Sequence, residues 1–149
     1  MEIGQEIKQS KFKNEYHKLA INLGFTSSWI ERVAATKLKA YNLTPQQYNV
    51  LRILRGQHGN PATINLVTER MIDKSSNASR LVEKLVQKEL VIRRECPSDR
   101  RQVDVVISES GLKLLAEIDV LEDHWLNALE GISESEAQEL NRLLDKLRG

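Results

Sequence analysis

The chain has 149 residues, of which 40% are hydrophobic and 29% charged, and its formal net charge at pH 7 is +1. These values predict one soluble globular domain, and they exclude a membrane-spanning protein because no apolar run approaches the roughly 20 residues that a bilayer requires. The first residues lack the apolar segment of a signal peptide, and the single cysteine excludes an internal disulfide, so we expect a cytoplasmic protein.

The charge is distributed unevenly along the chain. Residues 1–73 carry ten Lys or Arg against six Asp or Glu, residues 74–101 carry eight against four, and residues 102–149 carry four against eleven. A basic middle followed by an acidic end predicts a single face that attracts a polyanion, and not a protein that coats polyanions over its whole surface.

A long helix is predicted from about Gln9 to Ala40, where apolar residues recur every three or four positions. Gly24 and the Thr-Ser-Ser of residues 26–28 weaken the pattern in the middle of this stretch. Because glycine and small hydroxyl residues favour turns, they predict a kink or an irregular turn there.

Local capping chemistry marks the start of the next helix. Thr44 is a good N-cap, Pro45 suits the first helical position, and Gln47 stands where a capping box requires it. The helix QQYNVLRILR then ends at Gly56, and a loop rich in turn-forming residues follows.

Two further helices follow this loop at short distance. Thr63 is a candidate cap for INLVTERM, which runs through Met71, and Asp73 or Ser75 is a candidate cap for SSNASRLVEKLVQKEL. The second helix is more amphipathic and more basic, with apolar residues at helical spacing: Ala78, Leu81, Val82, Leu85 and Val86. Two short helices of this kind predict a helix-turn-helix.

The periodicity then changes to that of a β-hairpin. VIRRE is a strand candidate, and Val103, Val105 and Ile107 alternate with the intervening residues 102, 104 and 106. We expect the two strands to pair across the six residues CPSDRR, 96–101. A hairpin directly after a helix-turn-helix predicts a winged helix.

Two helices complete the chain. Ser108 is predicted to cap a long helix that has Gly111 in its first turn and ends at Gly131. Ser133 and Glu136 form a capping box for the last helix.

The fold class is therefore mainly α, a winged helix-turn-helix with flanking helices in the order α-α-α-α-β-β-α-α. Residues 1–149 form a single domain, in which residues 43–108 are the winged helix-turn-helix module. Residues 1–42 and 109–149 form a helical region whose apolar stripes are too large for the small module to cover. Exposed patches of that size indicate an interface.

The second helix of the pair carries small polar and basic side chains at its start. In a helix-turn-helix protein these positions meet base edges in the major groove, and small side chains let the backbone approach. The candidates for contacts with bases or phosphates are Lys74, Ser75, Ser76, Asn77, Ser79, Arg80 and Lys84. The alternative is an amphipathic helix with a solvated face, since Ser and Asn at a helix start are equally good caps.

The hairpin tip carries Asp99, Arg100 and Arg101. An arginine at the end of a thin projection suits the narrow minor groove, whose negative potential attracts it. We predict that Arg100 and Arg101 contact the minor groove or its backbone and that the Asp99 carboxylate orients a guanidinium plane. The alternative is a charged turn that keeps an exposed hairpin soluble.

These motifs, in this order, resemble those of the MarR-type winged-helix transcriptional regulators. LTPQQYNVLRIL is similar to the family's second helix, KSSNASRLVEKLVQKELV to its recognition helix, and PSDRRQVDVVISESG to its wing signature. The resemblance spans nearly the whole chain and is strongest over residues 43–115. Two positions depart from the pattern, because Glu89 stands where the family often has glycine and Val67 stands where a small residue is usual.

The resemblance implies a homodimer in which the N- and C-terminal helices of two subunits interlock and two winged helices face one pseudopalindromic operator in double-stranded DNA. It implies a transcriptional regulator, which we expect to be a repressor, and a small aromatic effector that releases it. Trp29, Tyr48 and Trp125 are candidates to line the effector pocket, with plain core packing as the alternative. A winged helix used only for contacts with other proteins is the alternative function.

Cys96 lies between four arginines in sequence, which predicts a lowered thiol pKa and an oxidant-responsive regulator as a further alternative. Family members that sense oxidants have their cysteine near the start of the first helix, where this chain has none, so a passive wing residue is the competing interpretation. The three histidines are scattered, and we find no spacing typical of a metal site. No nucleophile–base pair or phosphate-binding glycine loop is present either, so we expect neither an enzyme nor a cofactor.

Overall fold

The computed structural model describes the backbone of residues 1–126 and 129–149 and the side chains of residues 1–120 and 129–149. The helices are α1 (Ile3–Glu6), α2 (Glu15–Leu38), α3 (Pro45–Arg55), α4 (Ile64–Arg70), α5 (Ala78–Gln87), α6 (Glu109–Leu126) and α7 (Glu134–Arg148). The strands are β1 (Ala62–Thr63), β2 (Val91–Cys96) and β3 (Asp99–Ile107). This order confirms the mainly α winged-helix fold and adds α1 and β1 to the predicted elements. Within the described part of the chain, no helix combines the length and apolarity that a membrane crossing needs.

Side-chain caps set the predicted starts of several helices. Thr44 Oγ1 accepts a hydrogen bond from the Gln47 N–H at 3.1 Å, and Gln47 Oε1 accepts one from the Thr44 N–H at 3.1 Å, which completes a capping box with Pro45 at the first helical position. The caps of α4, α6 and α7 are also those expected from the sequence: Thr63, Ser108 and Ser133. Because a cap depends on residues within one turn of each other, local sequence is sufficient to predict it.

The N-terminal helix differs from its prediction at both its start and its middle. α2 begins only after Asn14, whose side-chain oxygen accepts a hydrogen bond from the His17 N–H at 2.9 Å. It then continues unbroken to Leu38, so the predicted kink at Gly24 is wrong. A helix interior tolerates a glycine at a cost of roughly 1 kcal/mol, and the Thr26 hydroxyl is satisfied inside the helix by a side chain four residues earlier.

The cap of α5 also differs from the prediction. Asn77, and not Asp73 or Ser75, is the N-cap, and its side-chain oxygen accepts a hydrogen bond from the Arg80 N–H at 3.1 Å. All three residue types are good caps, so local chemistry does not choose between them. The choice follows from packing, because Ala78 is buried and is the first residue of the helix.

The end of α5 forms a Schellman motif. The Leu90 N–H donates to the Leu85 carbonyl at 3.0 Å and the Glu89 N–H donates to the Val86 carbonyl at 2.9 Å. This pattern places Glu89 in the left-handed region, with φ 59°. Glycine adopts that conformation without a Cβ penalty, which accounts physically for the glycine that the resembled pattern often has at this position.

The wing is a three-stranded antiparallel sheet of order β1-β3-β2. β2 and β3 form the predicted hairpin, with Val91 opposite Ile107. β1 pairs with β3 through Ala62 opposite Val105 and was not predicted. A strand of two residues beside a proline is too short to show a period of two.

The main core joins α3, α4, α5, the sheet and α6. Its largest fully buried side chains include Leu51, Leu54, Val67, Val82, Leu85, Val105 and Leu115. The last helix contributes no buried residue, and Leu140, Leu143 and Leu147 on it are exposed. The apolar side chains between the helices and the sheet of the winged module are therefore buried. The apolar side chains of α7 remain exposed in the single chain.

Candidate nucleic-acid interface

Helix α5 has one buried face and one exposed face. Ala78, Val82 and Leu85 pack into the core, as the helical spacing predicted. The opposite face carries five exposed polar side chains: Ser79, Arg80, Glu83, Lys84 and Gln87. Arg80 and Lys84 form no ion pair with any other described residue, so their charges are available to an external anion.

The segment that leads into α5 folds around Asp73. Its Oδ1 accepts hydrogen bonds from the Ser75 hydroxyl at 2.6 Å and from the Ser75 N–H at 2.9 Å. The hydroxyl bond first, and the backbone bond second, hold the pKa of the Asp73 carboxyl below its ordinary value. The carboxylate is therefore ionised at neutral pH and fixes the turn that precedes the helix.

The structure places the predicted recognition residues in different situations. Ser75 and Asn77 are exposed, but their side-chain oxygens are engaged in the turn and in the cap. The hydroxyl oxygen of Ser76 is buried. The remaining candidates are exposed: Lys74, Ser79, Arg80 and Lys84. The small residues therefore shape the approach to the helix, and Arg80 and Lys84 extend from it, whereas Lys74 Nζ donates to the Glu69 carbonyl at 2.5 Å.

A groove of about 330 Å³ separates the start of α5 from the start of α3. Thr44 and Gln46 line its α3 side, opposite Asn77, Arg80 and Lys84. Thr44 and Gln46 were not among the predicted site residues. The indication in the sequence was the capping box at Thr44, because the start of a helix presents backbone N–H groups that favour a phosphate.

The hairpin turn consists of Pro97 and Ser98 and is shorter than the six residues predicted. Cys96 pairs with Asp99, whereas Glu95 pairs with Val103, so residues 100–102 have no partner in the register and form a bulge. Arg100 and Arg101 are exposed in this bulge. The bulge, and not the turn itself, is what presents the arginines.

The predicted role of Asp99 is corrected in one respect. Asp99 Oδ1 accepts a hydrogen bond from the backbone N–H of Arg101 at 2.9 Å. Within the described residues, neither Arg100 nor Arg101 forms an ion pair with the Asp99 carboxylate. Asp99 thus orients the backbone of the bulge and not a guanidinium plane, because the conformation of residues 100–102 brings the Arg101 N–H within its reach.

Cys96 is half-buried at the end of β2, with its Sγ 3.1 Å from the Ser98 hydroxyl. The Ser98 hydroxyl first, and then the backbone N–H groups of Ser98 and Asp99, hold the thiol pKa below its ordinary value, while the Asp104 carboxylate opposes them. The predicted direction of the pKa shift is therefore confirmed. Its main cause is hydrogen bonding in the turn, and not the neighbouring arginines.

A second, mostly apolar pocket of about 380 Å³ lies between α2, α3 and the α4–α5 loop. Of the three predicted lining residues, Tyr48 lines it and Trp29 does not, while the side chain of Trp125 lies outside the described residues. The Tyr48 hydroxyl accepts a hydrogen bond from Arg52 Nη1 at 3.1 Å. The outer wall is formed by Met71, Ile72 and Asp73, the segment that leads to α5.

Comparisons with known proteins agree with this architecture. The profile of the MarR family matches residues 41–102. The HTH-type transcriptional regulator MhqR of Bacillus subtilis (strain 168) is 31% identical over 108 residues, which are 72% of this chain and 72% of that protein.

Two solved structures share the fold. The organohalide-sensing RdhR-CbdbA1625 transcriptional regulator in its 2,4-dichlorophenol-bound form superposes with a TM-score of 0.83 at 21% identity, covering 94% of this chain and 85% of that one. The S. aureus MepR–DNA complex superposes with a TM-score of 0.76 at 24% identity, covering 92% of this chain and 97% of that one.

Proposed function

Since this chain belongs to the MarR family of DNA-binding transcriptional regulators, we propose that it binds a pseudopalindromic operator as a homodimer and acts as a repressor. The observation that carries this proposal is the exposed cationic face of α5 beside a wing whose bulge holds two exposed arginines. Helix α5 and the sheet that carries the wing pack on the same hydrophobic core, so we expect one duplex to contact both. Such a regulator would work in the cytoplasm, where bacterial DNA is found.

We assign the major groove to α5. Ser79 and Arg80, in the first turn of the helix, meet base edges, and Lys84, one turn later, meets a phosphate. Lys74 reaches a phosphate from the preceding turn. The segment of Ser75, Ser76 and Asn77 lets the backbone approach, and the hydrogen-bonded side chains of Ser75 and Asn77 hold the turn.

We assign the adjacent minor groove, or its backbone, to the wing. Arg100 and Arg101 reach it from the bulge, and Asp99 keeps the bulge in the required conformation through its bond to the Arg101 N–H. A minor groove narrowed by sequence has enhanced negative potential and attracts arginine side chains. Wing contacts of this kind add affinity, whereas α5 adds most of the sequence discrimination.

Dimerisation uses the helices outside the winged module, residues 1–42 and 109–149. Exposed apolar side chains lie along them: Tyr16, Leu19, Ile30, Leu112, Val120, Leu140, Leu143 and Leu147. Large apolar side chains that are exposed in such numbers on one chain indicate an interface with another chain. Two-fold symmetry would set the two α5 helices about 34–36 Å apart, which is one turn of DNA.

A small aromatic effector would occupy the pocket that Tyr48 lines. The lining is mostly apolar with a few polar groups, which suits an aromatic ring with one polar substituent. Residues 71–73 form both the pocket wall and the turn before α5. A ligand that displaces this wall would move the start of α5 and weaken DNA binding. The 2,4-dichlorophenol bound to one fold neighbour belongs to this chemical class.

The decisive experiment is the selection of bound fragments from random and genomic DNA, followed by binding measurements at several salt concentrations. We expect an inverted repeat with half-sites about one turn apart and a steep negative slope of log K against log salt. Affinity that does not depend on salt, or recovery of no common sequence, would contradict the proposal. The second result would favour a winged helix that contacts only other proteins.

A further inference from the structure

An ion pair joins helix α3 of the winged module to the long helix α6. Arg55, the last residue of α3, places Nη1 2.6 Å and Nη2 3.3 Å from the two carboxylate oxygens of Asp119 on α6. The side chains are 31% and 40% exposed. The two-point geometry fixes both the distance and the orientation of the guanidinium, which a single contact would not do.

The other ion pairs that lie wholly within the described residues do not connect elements. Lys113 with Glu109, Arg142 with Glu139 and Arg148 with Asp145 each stay inside a single helix. Such pairs stabilise a helix locally and do not fix the position of one helix relative to another. Among these pairs, Arg55–Asp119 is the one whose geometry depends on the angle between two helices.

A second attachment fixes the start of α6. The Ser108 hydroxyl donates to the Glu89 carbonyl at 2.7 Å, and the Ser108 N–H donates to the Leu90 carbonyl at 3.0 Å. One turn later, Gly111 lies so close to the Leu90 carbonyl that a Cβ on residue 111 would be 2.4 Å from its oxygen. This junction ties α6 to the end of α5 and to the base of the wing.

At 1.5 Å per residue, Asp119 lies about 12 Å along the helix from Gly111 and about 16 Å from Ser108. Between these two attachments, α3 and α6 meet through buried apolar side chains such as Leu54, Leu115 and Ile118. The hydrophobic effect is non-directional and holds the helices together, whereas the two-point ion pair adds a directional constraint on the angle between them. Two fixed points on one helix define the direction of that helix relative to the module.

We propose that Arg55 and Asp119 are positioning residues for DNA binding: they fix the angle between the winged module and α6 and so set the half-site spacing that the protein accepts. The inference rests on the proposed homodimer, in which α6 belongs to the dimerisation region. Because α5 packs directly against α3, a small rotation at the α3–α6 contact would also shift α5 relative to α6. Loss of the ion pair therefore broadens the accepted spacing and leaves the reading of each half-site unchanged.

The test measures affinity for a series of operators whose half-sites are separated by the best spacer or by one base pair more or fewer. Wild type, Asp119→Asn and Arg55→Gln are compared, with Lys113→Ala as the matched control that removes an ion pair within α6 alone. In the two test variants, the preference for the best spacer is expected to fall about threefold to fivefold, the range that corresponds to a partly exposed ion pair. Affinity for an isolated half-site should stay within twofold, as an order-of-magnitude limit.

The outcomes separate the two proposals. If wild type selects one spacer and both variants keep the same preference, or if Lys113→Ala changes it equally, the positioning role is wrong while the proposed function stands. If wild type selects no inverted repeat, the proposed function fails and this inference fails with it. The charge-swapped double variant Arg55→Asp with Asp119→Arg should recover part of the spacer preference, which a general loss of stability would not allow. Thermal unfolding followed by circular dichroism confirms that each variant is folded.

Discussion

The carboxylate of Asp99 and the backbone N–H of Arg101 are joined by a hydrogen bond of 2.9 Å, which closes the bulge at the tip of the wing. The bond spans two residues, and the strand register resumes only at Val103. Asp99 therefore acts on the position of Arg101 through the main chain. This relationship separates two kinds of contribution to DNA binding, the charge of Arg101 and the conformation that presents it.

Arg101→Ala is expected to cost about 1–3 kcal/mol of DNA-binding free energy and to reduce the salt slope by about one for each subunit of the dimer. Asp99→Ala should weaken binding less and leave the salt slope unchanged, because it removes the bond that orders the bulge and no cation. Asp99→Asn keeps an acceptor oxygen and should behave almost as wild type. Arg142→Ala is the matched control, because it removes an arginine from α7, which is distant in sequence from the wing. Equal binding by Arg101→Ala and wild type at the same salt would refute the wing assignment.

Local chemistry predicted much of the fold, because the signals that carry it lie within a few residues of each other. The capping boxes at Thr44 and Ser133 and the cap at Thr63 all stand where expected. The buried face of α5 follows from its apolar spacing. The predicted cap of α5 was wrong, since four good capping residues occur within five positions and only tertiary packing selects Asn77.

The candidate site was less predictable because its geometry depends on register. Residues 100–102 bulge only because Cys96 pairs with Asp99, and no local pattern shows that pairing. The role of Asp99 depends on the bulge that this register creates. The two-residue strand β1 and the Arg55–Asp119 pair depend on contacts distant in sequence. The buried Ser76 hydroxyl oxygen is another example, since a sequence shows which residues are polar but not which ones face solvent.

Gly111→Ala is expected to destabilise the protein by about 1–3 kcal/mol, as for other overpacked core sites. The added Cβ would lie 2.4 Å from the Leu90 carbonyl oxygen and 2.7 Å from Ile107 Cγ1, and neither neighbour is a flexible chain end. Gly24→Ala is the matched control, because nothing lies within 4 Å of its added Cβ. It should stabilise the protein by about 0.5–1 kcal/mol through helix propensity. Urea unfolding of both variants tests the pair, and similar effects would contradict the close approach at Gly111.

The thiol of Cys96 is expected to react with iodoacetamide at a lower pH than an ordinary cysteine, because hydrogen bonds in the turn lower its pKa from the usual 9.0. A lowered pKa means more thiolate at a given pH, so the rate profile shifts to the acid side. Ser98→Ala removes the main cause and should move the midpoint of the profile upward, whereas Ser110→Ala on α6 should not. An unchanged midpoint in Ser98→Ala would assign the reactivity to another group.

The oxidant-responsive alternative depends on the thiolate of Cys96, because the thiolate is the form that peroxide oxidises. That hypothesis expects peroxide to weaken DNA binding in wild type and Cys96→Ser to abolish the effect. A thiolate at the base of the wing tip could be oxidised to a sulfenic acid, which would disturb the turn that presents the arginines. If peroxide weakens binding equally in Cys96→Ser, the cysteine is a passive wing residue.

Glu89→Gly is expected to raise the free energy of unfolding by about 1 kcal/mol. The left-handed backbone at φ 59° costs a residue with a Cβ roughly 1–2 kcal/mol, and the greater freedom of glycine in the unfolded chain offsets part of that gain. Glu89→Ala is the control, because it removes the carboxylate but keeps the Cβ and the strain, and it should change stability little. Chemical denaturation of the three proteins under identical conditions measures the difference. If glycine and alanine stabilise the protein equally, the glutamate side chain and not the backbone conformation is responsible.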